Sequence, residues 1–191
     1  ARVVAKAPAP SAPVVRRRGR PRLELNLSGA AMFGLTDQMV TGGVEVGAAV
    51  RLLGPFHLKA GVGFLGAGRV ADGLSTFKLV PVHALMGFQW RWRWFQLGVF
   101  AGATLLVFWV DFDHTMLSIP SGTGFTGISG GPTAELRFAW RVHRFVSIGL
   151  TSRLLYAPVD LSSSVSDGNR SASFRVPRAL TQSSVDITFT F

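Results

Sequence analysis

A chain of 191 residues accommodates one domain with tails more comfortably than two domains. With 48% hydrophobic residues, 16% charged, 22 glycines and no cysteine, it is too apolar for an ordinary soluble domain and too rich in glycine for a helical membrane protein, and it can form neither disulfides nor most thiolate metal sites. The formal net charge of +10 suggests a nucleic-acid binder only until its distribution is read: seven basic residues and no acid fall within residues 1–22, which leaves +3 for residues 23–191.

Residues 1–22, rich in Ala and Pro and ending on Arg16, Arg17, Arg18, Arg20 and Arg22, have no apolar period and cannot bury a core. They read as an extended basic tail that at roughly 3 Å per residue could reach on the order of 65 Å. Arg18-Gly19-Arg20-Pro21 resembles the AT-hook core of minor-groove DNA binders, but over four residues of low complexity. The reading adopted is a spacer that touches anionic headgroups, peptidoglycan or a protein partner, with no nucleic acid. The chain has no initiating Met and no signal-like apolar segment, as expected of a mature or trimmed form.

From Leu23 onward a period of two recurs eight times, the repeat of a strand with two unlike faces. The first segment sets Leu23, Leu25, Leu27, Ala31 and Phe33 against Glu24, Asn26, Ser28 and Ala30, and the second sets Val44 to Leu52 against Glu45, Gly47, Ala49 and Arg51. The third opposes Phe56, Leu58, Ala60, Val62 and Phe64 to His57, Lys59, Gly61 and Gly63. In the fourth Val82 to Trp90 oppose His83, Leu85, Gly87 and Gln89, with Pro81 predicted to mark a bulge where the phase shifts. The fifth runs from Phe95 to Val107 and the sixth from Pro132 to Trp140, the latter with Glu135 and Arg137 on the sparse face. The seventh runs from Val146 to Tyr156 with Arg153 on that face, and the last carries Val185, Ile187, Phe189 and Phe191 opposite Ser184, Asp186 and Thr188.

Connections alternate between short (53–55, 91–93, 141–144) and long (35–42, 66–76, 109–128, 157–177). Outer-membrane barrels have short periplasmic turns and long external loops, and an even strand number puts both termini, and the tail, in the periplasm. Each apolar stripe lasts about ten residues, enough to cross a hydrocarbon layer at a 45° tilt. Aromatics ring both ends: Phe56, Trp90, Trp92, Trp94, Phe95, Trp140, Phe145, Phe189 and Phe191 at the short turns, and Phe33, Phe64, Phe77, Phe108, Trp109 and Tyr156 near the long loops. The prediction is an all-β, eight-stranded, antiparallel transmembrane barrel over residues 23–191.

Two competing folds fit less of the chain. A spanning helix over Trp94 to Val110, with Gly98 and Gly102 spaced as in a helix-packing motif, leaves the other seven segments unexplained. A soluble lipocalin-like barrel would turn a glycine-rich face with few charges to water.

The terminal run Val185, Ile187, Phe189 and Phe191 resembles the β-signal read by the barrel-assembly machinery, and the chain from Leu23 is similar to the small barrels of the OmpA, OmpX and OmpW type. That resemblance implies an outer-membrane location, lipid and lipopolysaccharide as neighbours and the barrel-assembly machinery as a partner in biogenesis. Function stays open, because no subfamily motif is matched.

On the inward face lie Glu24, Glu45, Glu135 and Asp186 with Arg51, Lys59, Arg137 and Arg153, balanced in charge and expected to pair as an ionic plug. Glu24, Arg51, Lys59 and Arg137 should lie lowest, Glu135 and Asp186 midway, and Glu45 with Arg153 highest. His57 and His83 read as lining residues, and no nucleophile, base and orienter combination emerges, so neither catalysis nor a cofactor is expected. The run Asp111-Phe112-Asp113-His114 could hold a hard cation, although polar loops need no such role. Gly29, Ala31, Ser152, Thr181 and Ser183 interrupt the apolar outer face with small residues, a candidate surface for a protein partner or a second copy. The function expected is a structural anchor or scaffold with a periplasmic or membrane protein partner. A conduit for ions or hydrophobic solutes, suggested by the many lumenal glycines, and a lipid-modifying enzyme are the alternatives.

Overall fold

The computed structural model describes residues 22–34, 40–69, 75–112, 124–158, 162–166, 171–175 and 178–191, so the tail lies outside the described residues. The described residues form ten strands: β1 (Leu23–Gly34), β2 (Val40–Leu53), β3 (Phe56–Arg69), β4 (Ser75–Arg91), β5 (Phe95–Phe112), β6 (Gly124–His143), β7 (Val146–Tyr156), β8 (Ser162–Ser166), β9 (Ser171–Arg175) and β10 (Ala179–Thr190). Eight close into an antiparallel barrel in the order β1-β10-β7-β6-β5-β4-β3-β2, while β8 and β9 pair with each other inside the last long connection. Closure satisfies every edge, the condition on which a sheet survives in hydrocarbon, where water cannot hydrogen-bond a free strand.

The two faces sort as the alternation predicts. Leu25, Leu27, Val44, Val46, Leu58, Phe88, Leu136, Phe138, Leu150 and Ile187 stand exposed on the outer wall, while Glu24, Glu45, Lys59, Glu135, Arg153 and Asp186 are buried in the lumen. The soluble alternative would have inverted this. The segment proposed as a spanning helix is β5, and no helix among the described residues is long and apolar enough to cross a membrane.

Turns close the short ends at residues 54–55, 92–94 and 144–145. Gly54 takes a φ of 54°, a left-handed conformation that a side chain would strain. At the opposite end β5 and β6 run on to Phe112 and from Gly124, so the connection expected at 109–128 shrinks.

Two expectations about phase are corrected. Pro81 is not a bulge: Phe77, Leu79, Pro81 and His83 keep one parity, all buried, and β4 pairs with β5 without a break across them. The irregularity lies on the other side, between Leu65 and Gly68 of β3. Phe77 and Phe108 therefore do not belong to the upper aromatic belt. Both are fully buried and pack inside the barrel with Met32, Leu65, Leu79, Leu106, Val110, Phe112, Leu155 and Leu180. The lumen thus has an apolar plug at its long-loop end, above the charges.

Candidate functional site

Strand parity points Lys59 of β3, Glu135 of β6, Arg153 of β7 and Glu45 of β2 to one level of the lumen. Lys59 Nζ donates to Glu135 Oε1 at 2.6 Å, Arg153 Nη2 to Glu135 Oε2 at 2.7 Å, and Arg153 Nη1 to Glu45 Oε2 at 3.0 Å. β3 and β6 stand three strands apart in the barrel, as do β7 and β2, so this chain of charges crosses the interior. Gln182 joins it by donating Nε2 to Glu45 Oε2 at 2.6 Å and accepting from Arg153 at 3.0 Å. His83 Nε2 lies 3.6 Å from Glu45 Oε1, and Arg153 Nη2 donates toward it at 3.4 Å.

A second layer lies nearer the short turns. Arg137 donates through Nε and Nη2 to Asp186 Oδ2 at 3.1 and 2.8 Å, and its Nη1 is 3.6 Å from Glu24. Thr151 donates to the other Asp186 oxygen at 2.9 Å, Arg137 bonds Thr188, and Thr188 donates to Asn26 at 2.8 Å. Arg91 pairs with Glu24 from three strands away. Every acid here has a basic partner, as a dry interior requires.

Seven of the eight residues expected in the network are in it; Arg51 is not. Its Nε donates to the Gly54 carbonyl at 2.5 Å in the β2–β3 turn, too near the rim to reach across. Arg91 takes its place, so four acids still face four bases, with Lys59, Arg137 and Arg153 as the others. The sequence carried the signal, since Arg91 continues the inward parity of His83, Leu85, Gly87 and Gln89. Lys59, expected low, reaches up to the Glu135 level, and Asp186, expected midway beside Glu135, lies in the lower layer with Arg137.

The lumenal glycines are not empty volume. A Cβ on Gly61 would stand 2.6 Å from the His83 ring, and one on Gly98 2.5 Å from the Phe100 ring. These two seat a neighbour's ring, and at Gly47, Gly87 and Gly102 a neighbouring strand's backbone stands within 3.0 Å of the Cβ position, which removes the observation that had suggested a conduit.

His57 Nδ1 lies 2.8 Å from the Pro55 carbonyl, a lining role. Asp111 and Phe112 end β5, while Asp113 and His114 lie outside the described residues; among the described residues no three potential ligands gather for a metal. On the outer wall, pairing sets Ala31 opposite Ser183, Ser183 opposite Ser152 and Gly29 opposite Val185, as the simple register predicted. Gly29, Ala31, Ser152 and Ser183, with Gly43, line a groove of about 660 Å³ flanked by Leu136, Phe138 and Leu150. Thr181 lies beyond its lining. Val185, Ile187, Phe189 and Phe191 all face outward.

No family model and no curated protein sequence matches the chain. Solved structures match it in fold. Neisserial surface protein A aligns at a TM-score of 0.60 and 12% identity, over 90% of this chain and 97% of its own. A major outer membrane protein from Thermus thermophilus aligns at 0.63 and 10%, over 91% and 100%. The N-terminal barrel domain of Pseudomonas aeruginosa OprF aligns at 0.55 and 10%, over 89% and 97%. The chain has the architecture of the small eight-stranded outer-membrane β-barrels.

Proposed function

We propose that the chain is a non-conducting, non-enzymatic barrel of a bacterial outer membrane that serves as a structural anchor within a larger envelope assembly. The observation that carries this reading is the filled lumen: two layers of cross-barrel ion pairs lie below an apolar cluster, so the interior is a core rather than a pore. The acids and bases of those two layers are engaged with one another instead of poised around a reacting site. The wall around that core is apolar on all sides and long enough to span.

The start of β1 and the last residue lie side by side, with Phe191 N donating to the Leu23 carbonyl at 2.9 Å at the short-turn end. On the rule that short turns face the periplasm, the tail there would extend toward a periplasmic partner. Two measurements test the proposal. The full chain in planar bilayers should pass no steady current, and a stable open conductance would overturn the plugged-anchor reading. A photo-crosslinker at Arg17 should capture one discrete periplasmic protein, while the same group on the outer-wall Leu136 should not; a tail that captures nothing leaves a plugged barrel without an anchoring role.

A further inference from the structure

The short-turn mouth of the lumen holds a feature that the ion network reaches only through Arg91. Below Arg91 a small cavity of about 50 Å³ is lined by Arg22, Arg91, Gln96, Arg141, His143, Arg144, Ser147 and Thr190. The end of β6 supplies Arg141 and His143, the β6–β7 turn Arg144 and the entry to β1 Arg22, while inward parity on β4, β5, β7 and β10 supplies the rest. Arg22, Arg91 and Arg141 thus meet at one cavity, while Arg144 borders it with its guanidinium stacked 4.5 Å from the Phe145 ring. The one lumenal acid that reaches them, Glu24, is shared between Arg91 and Arg137 deeper in the barrel. Among the described residues no carboxylate forms an ion pair with Arg22, Arg141 or Arg144.

A second observation is independent of charge. Ser147 is 2% exposed, lines the cavity, and its Oγ has no hydrogen-bond partner. A buried hydroxyl left unpaired is costly and calls for a partner. Gln96 points to the same conclusion: its Oε1 accepts from Gln89 Nε2 at 2.6 Å, which leaves its amide NH₂ as the group it offers the cavity. Arginines, a hydroxyl and an amide donor surround the space, so whatever completes it accepts hydrogen bonds and carries negative charge.

We propose that this mouth binds one phosphate-class oxyanion. At about 10–15 Å³ per water-sized group, the cavity holds on the order of four such groups, the number of oxygens on a tetrahedral phosphate. Guanidinium forks match phosphate oxygens two at a time, a geometry that lysines would not supply. The aromatics Trp92, Trp94, Phe145 and Phe189 ring the same end of the barrel, which sets the cavity at the depth of lipid headgroups. The phosphate could therefore come from the aqueous phase or from a phospholipid head. The site goes beyond the anchor reading and does not depend on it.

Inorganic phosphate titrated calorimetrically into the full chain in nonionic detergent at low ionic strength should bind saturably at one site. Arg141→Gln, at the half-buried end of β6, should weaken that binding about tenfold, and Ser147→Ala should weaken it several-fold. Arg93→Gln removes the same charge from the β4–β5 turn, where Arg93 stacks 5.1 Å from the Trp94 ring outside the cavity, and should leave affinity unchanged. The source is read by native mass spectrometry after reconstitution in mixed phosphatidylglycerol and phosphatidylcholine. Selective retention of phosphatidylglycerol that Arg141→Gln abolishes assigns a lipid head, while phosphate binding without retention assigns a soluble anion. The proposal is overturned if the wild type neither binds phosphate saturably nor retains lipid, or if Arg93→Gln weakens binding as much as Arg141→Gln.

Discussion

Arg153 touches both Glu45 and Glu135, so its removal strands the buried Glu45 carboxylate and leaves Glu135 to Lys59 alone. Arg153→Met should cost about 3–5 kcal/mol in urea unfolding followed by circular dichroism in detergent. Adding Glu45→Gln should restore part of the loss, since an uncharged amide is cheaper to bury than an unpaired carboxylate, whereas Glu135 must stay charged to hold Lys59. Arg51→Gln, outside the network, should stay within about 0.5 kcal/mol of wild type. A loss from Arg51→Gln as large as that from Arg153→Met would contradict the pairing described. At this scale the sequence was legible wherever parity was followed to the strand's end. Arg91 was missed because a tight turn was assumed to begin at it, and Arg51 was over-read because parity gives direction but not depth.

Strands β3 and β4 fit each other by leaving out side chains where the neighbour is large. Gly61 opposite His83 is one such place, and Val46 O also stands 3.0 Å from where its Cβ would be. Gly61→Ala should destabilise the barrel by about 1–3 kcal/mol. Combining it with His83→Ala should recover much of that loss, a non-additivity that a double-mutant cycle measures directly. In the β2–β3 turn, Gly54→Ala should cost about 1 kcal/mol in the same unfolding assay, because φ there is 54°. The lower two-thirds of each barrel strand could be read from its sequence, since one face is apolar and the other is not. Near the long loops both faces are apolar, as in Leu105 to Val110, and alternation no longer separates inside from outside. Only the phase carried up from Phe95 shows that Leu106, Phe108 and Val110 turn inward. The β8–β9 pair, built from Ser-rich segments, offered no apolar period to detect.

The whole molecule is a cylinder with a greasy belt, and its tryptophans report where that belt ends. Trp90, Trp92, Trp94 and Trp140 stand exposed at the short-turn end and Trp109 toward the other, all on the outer wall. In vesicles, lipids brominated near the headgroup should quench this fluorescence more than lipids brominated near the chain terminus. Equal quenching by aqueous iodide with and without vesicles would mean that the wall never met a bilayer. Overall architecture was legible because loop asymmetry and even strand count are properties of the whole chain, and local errors at Pro81 or Phe77 do not disturb them.

The groove over Gly29, Ala31, Ser152 and Ser183 also breaks the cylinder's symmetry. Where side chains shrink to a hydrogen, a methyl or a hydroxymethyl, acyl tails must lean inward toward the strands or leave a void. A bilayer therefore meets this protein as a shaft with a flat milled into one side: the lateral pressure at its surface differs from one side to the other. Such a body has a heading within the plane of the membrane as well as a girth.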